Sequence, residues 1–190
     1  MTRTRLRLVQ EAAEGLCYIH SRGIIHADVG CHNLLLDKSD HIRFIDFAGS
    51  GIDNEPPLIC YEWCAYRGGS AITVETDIFA FGPVLFEIES GNMPYHELLG
   101  AMEMFELIIT AEQRFATREY PEMRSFLLRH VIKGCWDGTY SCMSAVEEDL
   151  RRLSVADDDD GLSPAQCTVR PAFDQTVRWA TNHHPFILWA

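Results

Sequence analysis

His26-Ala27-Asp28-Val29-Gly30-Cys31-His32-Asn33, followed by Phe44-Ile45-Asp46-Phe47-Ala48-Gly49, is the stretch on which the reading of this chain turns. It places three side chains that can handle a metal or a proton, Asp28, Asn33 and Asp46, at a recognisable spacing. Between them, Leu34-Leu35-Leu36 and Ile42-Arg43-Phe44-Ile45 read as short strands, and Asp37-Lys38-Ser39-Asp40 reads as the polar turn joining them. Such a hairpin returns the chain to its starting point and folds the two acidic ends together.

Outward from this centre, Leu6, Val9, Ala13 and Leu16 recur at helical spacing between about Arg5 and His20, with Ser21-Arg22-Gly23 as the stop. Downstream, Thr76 to Ile88 is apolar nearly all round, the mark of a helix buried on every side, and it predicts a buried helix at about residues 74 to 88. Pro83 within it removes one helical hydrogen bond and predicts a kink. Leu98, Met102, Phe105 and Ile109 predict a further amphipathic stripe, and Phe126, Leu127, Val131 and Ile132 another. Ser144 and Glu147 have the spacing of a capping box for a last helix carrying Val146, Leu150 and Leu153.

The 190 residues correspond to about one domain. Net charge is −12, and beyond residue 45 ten Lys/Arg face twenty-three Asp/Glu, so a nucleic-acid partner is not expected. No apolar run is long enough to span a membrane, and the Arg-rich start lacks the apolar stretch of a secretory signal. Seven scattered cysteines suit reduced thiols. The expected location is intracellular, cytoplasmic or nuclear. Cys60 with Cys64, and His183 with His184, lack a second ligand pair of suitable spacing for zinc. After Ser154 an acidic run, Asp157 to Asp160, opens an irregular stretch that predicts a disordered extension. The expected division is therefore 1–153 and 154–190.

The two quoted stretches resemble the catalytic loop, H-R-D-L-x-x-x-N, and the D-F-G element of eukaryotic protein kinases. Downstream, Asp77, Phe79 and Gly82 resemble the family's D-x-W-x-x-G helix, Gly91 to Tyr95 its G-x-x-P turn, and Cys135-Trp136 its C-W element. The resemblance covers about residues 5 to 153. It implies a mainly α, α+β fold of the kinase large-lobe kind with the small-lobe sheet absent. It implies ATP and Mg²⁺ as cofactors and a protein substrate or partner. Asp28 would accept or orient the proton of a substrate hydroxyl, and Asn33 and Asp46 would hold Mg²⁺ against the nucleotide phosphates. His26 and Asp77 would support the site, Asp77 through the backbone of the catalytic loop.

Departures from the pattern set further expectations. Ala27 stands for the loop arginine that commonly grips an activation-segment phosphate, Gly30 for the lysine of serine/threonine kinases, and Ala48 for the glycine of D-F-G. Glu62 is the match to the glutamate of A-P-E, and Met143 occupies the place of its usual arginine partner, so Glu62 is expected to lose a partner. Val131-Ile132-Lys133 mimics a V-A-I-K strand inside a helical stripe and is set aside. A glycine-rich loop, a strand lysine and its paired glutamate find no match here, so this chain alone is expected to transfer phosphate weakly or not at all. The alternatives are a non-catalytic pseudokinase or scaffold, a truncated gene product, and a small-molecule phosphotransferase of the aminoglycoside- or choline-kinase type.

Overall fold

The computed structural model describes residues 1–53, 55–58, 61–65 and 71–157, with side chains as far as residue 153. The chain enters through helix α1 (Arg3–Ser21), whose first turn is capped by Thr2 accepting from the Arg5 amide at 3.3 Å. Its buried face is wider than the predicted stripe, because Leu8, Ala12 and Ile19 join Leu6, Val9, Ala13 and Leu16. Gly23, at φ 72°, then reverses the chain into strand β1 (Ile24–Ile25).

Strands β2 (Leu34–Leu36) and β3 (Ile42–Phe44) form the expected antiparallel hairpin, with Leu34 opposite Phe44 and Leu36 opposite Ile42. Asp37 organises its turn: the carboxylate accepts from the amides of Ser39 at 2.8 Å and His41 at 3.1 Å. Glu11 of α1 accepts from the Ile42 amide at 3.0 Å, which locks the hairpin to the first helix. Strand β4 (Gly51–Ile52) returns to pair antiparallel with β1, Ile24 opposite Ile52. Among the described residues these two-stranded ribbons are the whole of the sheet structure, and the fold is mainly α.

Helix α2 (Val74–Ser90) runs through the middle of the molecule, and twelve of its residues, from Thr76 to Ile88, are buried. It continues unbroken through Pro83 and stops at Gly91, whose φ of 83° suits glycine. Helix α4 (Arg129–Asp137) packs beside it, and the amides of Leu127 and Leu128, the two residues that lead into it, donate to the Glu89 carboxylate of α2 at 2.8 and 3.0 Å. Helix α5 (Met143–Asp157) lies against α1, tied by Gln10 Nε2 donating to the Leu150 carbonyl at 3.0 Å. It begins at Met143, so Ser144 sits inside its first turn and does not cap it, contrary to the capping-box expectation.

Helix α3 (Met104–Ala116) corrects another expectation. The stripe expected inside was Leu98, Met102, Phe105 and Ile109, yet Phe105 is 73% exposed and Met102 and Ile109 are also exposed. The face that is buried carries Leu107, Ala111 and Phe115, and Leu98 is buried in the turn before the helix. Periodicity fits both registers; the inward one is chosen by Phe115, whose ring meets Phe79, Tyr95 and Trp136 edge-on at 5.1 Å each. Lys133 lies on the exposed side of α4, with its ammonium 5.8 Å from the Tyr120 ring, and the lookalike triplet is helical as expected. Of the extension expected over 154–190, residues 154 to 157 continue helix α5, and the rest, with His183 and His184, lies outside the described residues, as does Cys60.

Candidate active site

The loop from His26 to Asn33 hangs on one buried carboxylate. Asp77, fully buried near the start of α2, accepts from the backbone amides of His26 at 2.7 Å and Ala27 at 2.9 Å. It also takes His20 Nε2 at 2.9 Å and the Tyr61 hydroxyl at 3.0 Å. Four donors from three separate segments satisfy its oxygens, which is what a buried charge requires. Burial, and then the charge of Asp77, push the Tyr61 phenol far above its ordinary value, so that hydroxyl stays protonated as a donor. Ala27 takes a left-handed conformation, φ 65°, and its amide bond to Asp77 is part of what holds it there.

His26 is fully buried, and its ring lies 5.5 Å from Phe44 and 4.9 Å from Phe47. Its Nε2 donates to the Ile45 carbonyl at 3.1 Å, and its Nδ1 accepts from the Asp28 amide at 3.3 Å. One neutral imidazole thus joins the loop to the end of the hairpin. The Ile45 amide also donates to the Asn33 carbonyl at 3.0 Å, so the residue before Asp46 is tied to both ends of the loop that carries Asp28 and Asn33.

Within the loop, Asn33 Nδ2 donates to the Asp28 carbonyl at 2.9 Å and to Asp28 Oδ2 at 2.8 Å. The amide nitrogen is turned wholly toward Asp28, which leaves Asn33 Oδ1 as its remaining oxygen. Asp46 is exposed and left-handed, φ 59°, and its Oδ1 accepts from the Ala48 amide at 3.3 Å. An amide oxygen and a carboxylate with room around it are hard donors of the kind Mg²⁺ prefers. Among the described residues no group of three or more His, Cys, Asp or Glu side chains makes a metal site, but a Mg²⁺ bound mainly by phosphates and water does not need one.

Two groups of this region were not singled out in the sequence. His32 reaches Asp28 Oδ1 with Nε2 at 3.3 Å and Glu62 Oε1 with Nδ1 at 3.4 Å. Glu62 therefore has a partner, and the expectation that it would lose one is corrected. Burial opposes the charged form of His32, but the hydrogen bond and charge of Asp28, with Glu62 and Glu87 adding to them, raise its pKa. The second group, Glu87, points from α2 into the same region; burial is the main cause that pushes its carboxyl up to about 7. The thiols of Cys31 and Cys64 in this region are held protonated, chiefly by burial. The signal for Glu87 was an acid within the apolar second half of α2, between Phe86 and Ile88.

A carboxyl raised in the folded chain is neutral there at a pH where the unfolded chain is already ionised. Its contribution is full below the ordinary carboxylate range and is lost as pH rises toward 7. Urea unfolding across that window is expected to show stability falling by on the order of 1–3 kcal/mol, with Glu87→Gln flattening the slope. An unchanged slope in the variant assigns the titration elsewhere.

A polar loop anchored by a helix aspartate, with a hairpin returning a second aspartate beside it, is the arrangement of a protein kinase large lobe. Residues 1–142 match the protein tyrosine and serine/threonine kinase family, and the chain belongs to it. It is 28% identical over 140 residues to the serine/threonine/tyrosine-protein kinase HT1 of Arabidopsis thaliana, covering 70% of this chain and 35% of that one. It is 27% identical over 145 residues to a probable serine/threonine-protein kinase of Dictyostelium discoideum, covering 68% and 14%. With the serine/threonine-protein kinase STY46 of Arabidopsis thaliana the match is 27% over 193 residues, covering 95% and 33%. The chain spans about a third or less of the length of these curated relatives. No helix among the described residues is long and apolar enough to cross a membrane.

Proposed function

We propose that residues 1–153 carry the hydroxyl-activating and metal-binding half of an ATP-dependent protein kinase, with residues 154–190 an acidic extension. Asp28 orients the hydroxyl of a protein Ser, Thr or Tyr and takes its proton. Asn33 Oδ1 and Asp46 bind Mg²⁺, which when present neutralises charge on the phosphates of ATP. His26 and Asp77 keep the loop in place, and the expected setting is intracellular, cytoplasmic or nuclear. The observation that carries this reading is the pair of bonds from Ile45 to His26 and Asn33, which tethers Asp46 to the loop of Asp28. The names of the relatives, all serine/threonine or serine/threonine/tyrosine kinases, agree with it.

The 190-residue chain presents no glycine-rich loop and no strand lysine to grip the β- and γ-phosphates, and positioning is most of the catalysis such enzymes have. Calorimetry is therefore expected to show weak, Mg²⁺-dependent ATP binding that falls about tenfold or more in Asp46→Asn. Transfer to a generic protein substrate should be near background. Robust turnover abolished by Asp46→Asn would overturn the weak-activity part. Absence of any Asp46-dependent binding would replace the whole reading with a non-catalytic scaffold, which Ala27 and Gly30 in the loop favour.

A further inference from the structure

We infer that Gly30 and His32 act as one device in place of the lysine missing at position 30: the glycine leaves room for the imidazole, and the imidazole holds the Asp28 carboxylate against Glu62. His32 is thus a positioning residue, and the inference rests on the reading of Asp28 as the hydroxyl-activating group. Gly30 has φ −166° and ψ 163°, extended backbone that any residue adopts, so its conformation does not call for glycine. Its surroundings do. A Cβ at Gly30 would lie 2.4 Å from His32 Cε1 and 2.5 Å from Nδ1, inside the ring's own contact distance.

The ring so accommodated is partly buried, with 17% of its side chain exposed. Asn33 Nδ2 also lies 3.1 Å from His32 Nε2. Its two hydrogens are already directed at the Asp28 carbonyl and Oδ2, so His32 Nε2 is left to donate to Oδ1. Asp28 then has one carboxylate oxygen on Asn33 and the other on His32. The opposite ring nitrogen meets Glu62, which lies beyond Asp46 in the chain. A lysine at position 30 brings a charge on a flexible stem; an imidazole wedged between two carboxylates brings its N–H groups in one plane at fixed distances.

Two measurements on the 190-residue chain test this. In urea unfolding, Gly30→Ala should lower the folding constant about tenfold when His32 is present and by less than about threefold in a His32→Ala chain. In long-range ¹H–¹⁵N spectra of the histidine rings in mildly acidic solution, Asp28→Asn should move the Nε2 resonance of His32 and Glu62→Gln its Nδ1 resonance. A ring that merely filled space would show neither shift. Equal cost of Gly30→Ala in both backgrounds overturns the coupling. Ring resonances indifferent to both carboxylate substitutions overturn the positioning role, even where a His32→Ala chain fails to fold. Neither readout uses nucleotide, so a chain that binds no MgATP still tests the inference, and one that binds it with unmoved ring signals loses the inference alone.

Discussion

Asp77→Ala is expected to lower the unfolding free energy by about 3–5 kcal/mol, enough to leave a chain of this size largely unfolded at ordinary temperature. The substitution strands the amides of His26 and Ala27, His20 Nε2 and the Tyr61 hydroxyl, all of which end on one fully buried carboxylate. Asp77→Asn should retain part of this, because an amide oxygen still accepts while its NH₂ group faces donors and lacks the charge. Urea denaturation of both variants gives the comparison. A loss under about 1 kcal/mol for Asp77→Ala would mean that the loop has another anchor.

Trp136→Ala is expected to cost about 3–5 kcal/mol, since this buried ring joins the helices around α2. It meets Phe115 and Tyr120 at 5.1 Å and Phe86 at 6.2 Å, and it occupies the space over Gly82, where a Cβ would come within 2.3 Å of its Nε1. Gly82→Ala should therefore destabilise the native chain even though alanine is the better helix former by about 1 kcal/mol. In a Trp136→Ala background the same change should stabilise. Calorimetric melting of the two singles and the double decides this, and an unchanged sign in both backgrounds would break the link between the glycine and the tryptophan.

That link shows how two separated motifs support each other. The D-x-W-x-x-G spacing and the C-W pair lie about fifty residues apart in sequence, and each was recognisable by itself. The hairpin was readable because two short apolar runs, Leu34–Leu36 and Ile42–Ile45, are separated by only the polar turn Asp37-Lys38-Ser39-Asp40. Helix α2 was readable because a continuously apolar run beginning with Thr-Asp allows one placement, inside. In α3 the signal was ambiguous. Apolar residues occupy both sides of that helix, and a moment taken along the sequence cannot say which side meets a neighbour. His32 was less visible still, since its role depends on a missing Cβ two residues away and on Glu62, thirty residues onward.

By itself, then, the sequence determined the class of protein, through motifs that resemble those of the kinase family, and the order of its main elements, because the spacing of apolar residues along the chain carries that. Only the tertiary structure decided that Asp77 gathers donors from three segments, that Phe115 rather than Phe105 enters the core, and that Glu62 pairs with His32. Each of these depends on which side chains compete for one buried space or one carboxylate. Packing settles that competition between residues far apart in the chain, where periodicity is silent.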